Sequence, residues 1–159
     1  MEAPKRVRPT GLAGYLEVMT KSVFQSGISW RVIEAKWEGF REAFHRFDPE
    51  WVAGLDPPDV DELAQDTRIV RNRRKIEATV HNARTMLELD REHGGFRKYL
   101  RSHTDFDATV ADLRKRFKLV GDLGAYHFLY VVGETVPDHE AWMAARGQDL
   151  RGRPPTSRR

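Results

Sequence analysis

The sequence contains no cysteine, and this absence removes several classes of protein. Disulfide frameworks, thiolate zinc sites, iron–sulfur clusters and cysteine nucleophiles all need that residue. A long hydrophobic run is also missing: the longest, Phe128 to Val132, is far too short to cross a bilayer. No apolar region follows the basic residues near Met1, so a secretory signal is not indicated. We therefore expect a cytoplasmic protein with no metal, no cofactor and no membrane partner.

Charge of one sign is not in large excess. The 159 residues include 27 basic and 24 acidic side chains, a net charge of +3, and 40% of the residues are hydrophobic. This composition excludes a disordered polyelectrolyte and is typical of one globular domain. The net charge is +2 over residues 1–10 (Lys5, Arg6 and Arg8 against Glu2) and +3 over residues 147–159 (four arginines against Asp149), which leaves −2 for residues 11–146. We predict a flexible basic N-terminus over 1–10, a single folded domain over 11–146 and a disordered basic tail over 147–159. Such ends would give at most a diffuse attraction to phosphates.

The alternating pattern of half-buried strands is absent as well. Apolar residues recur at helical spacing between the turn signals, which predicts an all-α fold, a compact helical bundle. Ser29 and Asp48 are placed to cap helices, and Gly27 and Gly94 to end them. One predicted helix carries an aromatic stripe wide enough for the core, formed by Trp30, Ile33, Trp37, Phe40, Phe44 and Phe47. Another is predicted from about Asn72 to Arg91, with a buried face of Ile76, Val80, Ala83 and Leu87.

Two basic segments are candidates for contact with phosphates. A glycine hairpin from Leu119 to Gly124 joins two predicted helices, and free backbone N–H groups near Gly121 and Gly124 can hold a phosphate beside Lys118. The second segment includes Arg73 and Lys75 at a helix start, where cations oppose the helix dipole. A tight helix–helix turn and a solvated charged face explain the same two patterns without any ligand.

Four blocks of the sequence, in order, resemble the motifs of the 3-methyladenine DNA glycosylase I family. The blocks are Phe24–Trp30, Phe44–Pro49, Ile69–Ile76 with Asn82–Arg84, and Phe117–Gly121 with Tyr126, Phe128 and Gly133. The resemblance covers roughly Tyr15 to His139. It implies a helix-hairpin-helix glycosylase that grips double-stranded DNA by its phosphates and extrudes an alkylated purine such as 3-methyladenine. The enzyme would then hydrolyse the N-glycosidic bond in base-excision repair. We expect it to act as a monomer.

The resemblance also suggests site residues. Trp30 matches the family's stacking tryptophan, with core packing as the alternative. Ser22 falls where the family has a base-contacting glutamate, and Gln25 lies in the same region, so these three are expected to bind substrate. Glu17 matches a family acidic position, with an ordinary surface residue as the alternative. Asp138 is similar to the superfamily's catalytic aspartate, with an N-cap as the alternative.

Some family features are missing from this sequence. Of the family's two Cys and two His zinc ligands, only His139 has a counterpart, and Met143 occupies a cysteine position. We therefore expect no tetrahedral metal site. Only about ten residues precede the first matched helix, so we expect the family's aromatic and metal-binding N-terminal segment to be missing. The lysine of lyase members is absent too, since Ala125 and Tyr126 stand there, which favours a monofunctional enzyme. Ser22 leaves open a non-catalytic DNA-binding or lesion-sensing relative, and a helical interaction module is a third possibility.

Overall fold

Helices and their connections build the chain over residues 5–152, the range that the computed structural model describes, with side chains described for 5–147. This is the all-α fold expected from the sequence. The α-helices of this range are α1 (Leu12–Gln25), α2 (Trp30–Ala43), α3 (Pro49–Ala53), α4 (Pro57–Leu63), α5 (Arg73–His93), α6 (Phe96–Leu100), α7 (Phe106–Arg116), α8 (Asp122–Val131) and α9 (His139–Gly152). A 3₁₀ turn, His45–Phe47, connects α2 to α3. No helix in the described range is long and apolar enough to span a membrane.

The predicted start and stop signals set the helix ends. The Ser29 side chain accepts a hydrogen bond from the Arg31 N–H at 3.3 Å, and Asp48 accepts one from the Glu50 N–H at 3.1 Å. Gly27 and Gly94 adopt φ values of +76° and +70°, the left-handed conformation that glycine takes without strain. The short turns between these ends fold the helices back on one another.

The core is one hydrophobic cluster with α5 at its centre, packed against α1, α3, α4 and α6. Ile33, Trp37, Phe40, Phe44 and Phe47 are buried, as the aromatic stripe predicted. Trp30, at the start of the same stripe, is 47% exposed, so core packing is wrong for this residue. On α5, Met86 and Leu89 are buried and Leu87 is only half-buried, because the buried face turns slightly from the predicted one.

Helices α1 and α8 run antiparallel, and this pair positions the candidate site. Gly124 at the start of α8 lies against Ser22 near the end of α1. At the other end of the pair, the Tyr15 and Phe128 rings lie 6.4 Å apart. The start of α8 is therefore close to the end of α1, and the end of α8 is close to the start of α1.

Both predicted ends of the domain need correction. The Val7 N–H donates to the Val131 carbonyl at 2.6 Å, and the Arg6 guanidinium donates to the Glu134 carbonyl at 2.6 Å. Residues 5–10 are therefore docked on the end of α8 and are not a free flexible segment. Helix α9 continues to Gly152, so residues 147–152 of the predicted disordered tail are helical. The rest of the tail, residues 153–159, lies outside the described residues.

Candidate functional site

A cleft of about 700 Å³ runs along the antiparallel pair α1 and α8. Its walls come from these two helices, from α2 and from residues 5–11. Three of the predicted site residues, Glu17, Ser22 and Gln25, line this cleft together. Trp30 and Asp138, which were also predicted, do not line it.

The Glu17 carboxylate is fixed in the cleft wall by two donors from α2. Its Oε2 atom accepts hydrogen bonds from Trp37 Nε1 and from Arg41 Nε, both at 2.8 Å. The hydrogen bond to Glu17 raises the pKa of Arg41, so the guanidinium stays charged beside the carboxylate. Because the Glu17 side chain is 29% exposed, a ligand in the cleft can still reach it. Glu17 is therefore a partly buried, hydrogen-bonded residue of the cleft wall, and its role in the site stays a prediction.

Sequence reasoning missed Trp37 and Arg41 as members of this site. Trp37 lies in the core stripe, only 4% exposed, with its ring stacked on Phe40 at 4.8 Å and on Phe47 at 5.4 Å. Its indole N–H nevertheless points to Glu17 at the cleft. The spacing of Trp37 and Arg41, one helical turn apart, was the available signal, since residues at i and i+4 share one side of a helix.

Further groups complete the cleft wall. Lys21 forms an ion pair with Glu34 and places its ammonium 5.3 Å from the centre of the Trp37 ring. His127 projects from α8, where burial lowers the pKa of its imidazole and the neighbouring His139 lowers it further. The His127 side chain in the cleft wall is therefore neutral at physiological pH.

Two small residues, Ser22 and Gly124, meet where the end of α1 contacts the start of α8. A Cβ atom added at Gly124 would lie 3.0 Å from Ser22 Oγ, so glycine allows α8 to approach α1 closely. Gly124 is in the first turn of α8, where backbone N–H groups have no partner within the helix. The residue thus has a packing role that the sequence did not predict, beside its predicted role in phosphate binding.

Helix α5 holds the predicted hairpin between α7 and α8 through hydrogen bonds to the hairpin backbone. Buried Asn82 accepts a hydrogen bond from the Lys118 N–H at 2.8 Å and donates one to the Lys118 carbonyl at 3.2 Å. The Lys118 side chain is exposed, and the next residue, Leu119, takes a left-handed φ of +60° to make the turn. A Cβ at Gly121 would meet nothing within 4 Å, so the start of α8 is open to a ligand.

A second depression, of about 450 Å³, lies beside this hairpin and is basic. Arg74 and Arg114 line it together with Gly121. Asp122, which would repel a phosphate here, is paired with Arg114 at 2.9 Å and with Arg146 at 2.5 Å. Its negative charge is therefore neutralised by cations within the fold.

The side chains of the second predicted basic segment, Arg73 and Lys75, lie in different environments. Lys75 was predicted to contact DNA, but it is buried, and its ammonium donates to the carbonyls of Phe24 at 3.0 Å and Ser26 at 2.6 Å. Burial there lowers the pKa of Lys75. Because Lys75 also lines the depression beside Arg74, a contact between Lys75 and DNA stays a prediction. Arg73 is exposed and forms ion pairs with Asp61 and, at 3.6 Å, with Glu77, away from the depression. A contact between Arg73 and DNA stays a prediction.

Asp138 occupies the cap position of α9. Its Oδ2 accepts a hydrogen bond from the Ala141 N–H at 3.0 Å, the geometry of a helix N-cap. The alternative of a structural cap therefore holds, and a catalytic role for this carboxylate stays a prediction. The Tyr126 hydroxyl donates to the Pro137 carbonyl and fixes the loop before the cap.

The family's zinc site does not fit the residues of this chain. His139 stacks on His127 with ring centres 5.6 Å apart, and Met143 lies on the same helix as His139 without a thiolate to offer. Within residues 5–147, no group of three or more His, Asp or Glu side chains is arranged to hold a metal ion.

A basic hairpin thus joins two helices of a fold that also holds a cleft large enough for a purine. A family model described as methyladenine glycosylase matches residues 11–116. DNA-3-methyladenine glycosylase 1 of Escherichia coli K12 is 34% identical over 72% of each chain. A crystal structure of a 3-methyladenine DNA glycosylase I superposes with a TM-score of 0.70 and 31% identity, covering 80% of this chain and 81% of that one. The enzyme of Staphylococcus aureus, from a study of 3-methyladenine recognition, gives a TM-score of 0.69 and 27% identity over 80% and 79%. The chain belongs to the methyladenine glycosylase family.

Proposed function

We propose that this protein is a monofunctional DNA glycosylase that removes alkylated purines, of the 3-methyladenine kind, in base-excision repair. The observation that carries the proposal is the cleft along α1 and α8, in which Trp37 and Arg41 hold the Glu17 carboxylate in the wall. The relatives are named for 3-methyladenine, which supports the choice of substrate.

The cleft suits a cationic leaving group. An adenine alkylated at N3 carries a positive charge and departs as a neutral base, so the enzyme needs mainly to hold the flipped base and to tolerate a sugar with oxocarbenium character. The C1′–N9 bond breaks and its electron pair leaves with the base, which becomes neutral. Water adds to C1′ of the sugar and releases one proton to the solvent. Two carboxylates line the cleft, Glu17 and Glu34, and we propose that Glu17 faces this reaction, since it matches a family acidic position.

Ser22 and Gln25 supply polar contacts to the base edge in the proposed complex. Ser22 replaces a family glutamate, so the carboxylate that opposes the cationic base would come from Glu17, earlier on the same helix. Trp30, exposed at the start of α2, offers an aromatic face for stacking.

We propose that the hairpin holds the DNA backbone. The open N–H groups at the start of α8, next to Gly121 and Gly124, and the exposed Lys118 would contact phosphates without reading bases. Arg74 and Arg114 in the hairpin depression extend this surface. One cleft receives one flipped base, so we propose that the protein works as a monomer in the cytoplasm.

The release of free base from methylated duplex DNA, resolved by chromatography, tests the proposal. We expect release of 3-methyladenine well above spontaneous depurination, and a reduced rate with Glu17→Gln at similar DNA affinity. Glu62→Gln, on an exposed side of α4, is the matched control and should release base as the wild type does. DNA binding without base release would instead favour the non-catalytic, lesion-sensing relative.

A further inference from the structure

The segment of residues 5–10 is fixed at the end of the cleft farthest from the hairpin. Val7 and Arg6 are hydrogen-bonded to the carbonyls of Val131 and Glu134, at and just beyond the end of α8. The Arg6 guanidinium also lies 4.3 Å from the centre of the Tyr130 ring, within the range of a cation–π contact. The side chains next to these anchors are therefore held near fixed positions.

Two exposed cations of this segment, Lys5 and Arg8, line the cleft. The other cations of the cleft are already paired, Arg41 with Glu17 and Lys21 with Glu34. Among the described side chains, neither Lys5 nor Arg8 has a hydrogen-bond or ion-pair partner. The mouth of the cleft at this end thus carries positive charge that no side chain of residues 5–147 neutralises.

The distance from Lys5 and Arg8 to the hairpin corresponds to a few nucleotides of one DNA strand. The ten residues of α8 separate the hairpin from the docked segment, about 15 Å at 1.5 Å per residue. One DNA strand advances about 3.4 Å per nucleotide, so the two basic groups are roughly four nucleotides apart along a strand. The cleft lies between them.

We infer that Lys5 and Arg8 contact the phosphates on the side of the extruded nucleotide opposite to the hairpin. The docked segment and the hairpin then grip one DNA strand at both ends of the cleft. The inference rests on the proposed function for its ligand. It corrects the expectation of a diffuse attraction, because the anchors at Val131 and Glu134 give the segment a defined place in the interface.

A salt titration of DNA binding tests the inference with the full chain. The double variant Lys5→Ala/Arg8→Ala should bind a duplex with an abasic-site analogue more weakly and with a salt slope lower by about two units, since each phosphate contact adds about 0.9 unit. The affinity deficit of the variant should then shrink about tenfold between 50 and 200 mM salt. Thermal melting checks that the variant is folded.

The matched control removes the same charge elsewhere. Arg91 and Lys98 are exposed and line neither the cleft nor the hairpin depression, so Arg91→Ala/Lys98→Ala should keep the wild-type slope. An unchanged slope in the first variant, or an equal loss in the control, overturns the inference, and so does slower base release at an unchanged slope. If the wild type binds DNA but releases no base, the proposed catalysis fails while the slopes still decide the contact.

Discussion

The two tryptophans of α2 have opposite environments, and this contrast separates their roles. Trp37 is buried and hydrogen-bonded to Glu17, whereas Trp30 is 47% exposed. Replacing an exposed side chain usually changes stability by no more than about 0.5 kcal/mol. We therefore expect Trp30→Ala to melt like the wild type but to release base more slowly, since an unstacked base loses about 1–3 kcal/mol. Trp30→Phe should keep part of the activity. A collapsed melting transition in Trp30→Ala would return this residue to the core.

The cap at Asp138 gives a second prediction for a single residue. Asparagine caps a helix about as well as aspartate, whereas alanine costs about 1 kcal/mol. Because the Asp138 carboxylate is engaged in capping α9, we expect Asp138→Asn to match the wild type in both stability and base release, and Asp138→Ala to lose stability. Chemical denaturation and the base-release assay measure the two effects. A large loss of base release in Asp138→Asn, with DNA affinity unchanged, would make Asp138 catalytic.

At this scale the sequence predicted part of the site. The resemblance indicated Glu17, Ser22 and Gln25, and all three line one cleft. The partners of Glu17 were missed: the spacing of Trp37 and Arg41 puts them on one side of α2, but it does not indicate which residue of another helix they meet. Only the crossing of α1 and α2 brings both side chains to the same carboxylate.

Two adjacent residues of α5, Arg74 and Lys75, have different roles in the fold. Both residues line the hairpin depression, but the buried Lys75 ammonium is bonded to two carbonyls at the end of α1, whereas Arg74 is exposed. We expect Lys75→Met to lower the free energy of unfolding by about 1–3 kcal/mol, as loss of a charged hydrogen bond does. Its salt slope for DNA binding should not change. Arg74→Met is the matched control and should show the reverse, a lower salt slope at nearly unchanged stability. A lower salt slope in Lys75→Met would support the prediction made from the sequence.

Helix ends were more predictable than the connections between them. Ser29, Asp48 and Gly94 act through local chemistry, so their caps and stops follow from the sequence. Arg46 and Leu119 take left-handed φ values although neither is a glycine, so the sequence does not indicate these two conformations. Each depends on packing of neighbouring residues, such as buried Phe47 and the anchor that Asn82 provides at Lys118.

The free energy of unfolding of the whole molecule should fall at alkaline pH because of Tyr99. Burial raises the pKa of this phenol well above its ordinary value of 10, and the neighbouring Asp112 carboxylate, 2.6 Å from the hydroxyl, raises it further. The folded protein therefore keeps the Tyr99 proton above pH 10, while the unfolded chain loses it. Stability contributed by Tyr99 is thus present below pH 10 and falls as the pH rises further.

Comparison with Tyr99→Phe isolates this dependence. The stability advantage of the wild type over the variant should shrink by about 1.4 kcal/mol between pH 8.5 and pH 11, because one pH unit above the unfolded pKa corresponds to that free energy. Urea denaturation at the two pH values gives the difference. A constant advantage would mean that Tyr99 ionises equally in both states.

The ends of the chain are the part of the whole molecule that sequence patterns described least well. Residues 5–10 and 147–152 have little apolar content, which predicted flexibility. The N-terminal segment is held by a backbone hydrogen bond at Val7 and a cation–π contact at Arg6. Residues 147–152 continue helix α9. None of these produces a periodic pattern in the sequence.

Base release from methylated duplex DNA tests the proposed function most directly. Wild type and Glu17→Gln are incubated with the same DNA at equal occupancy, and the free bases are separated by chromatography. We expect the wild type to release 3-methyladenine well above the spontaneous rate and Glu17→Gln to release much less. Release by the wild type at only the spontaneous rate, with the DNA fully bound, would contradict a glycosylase.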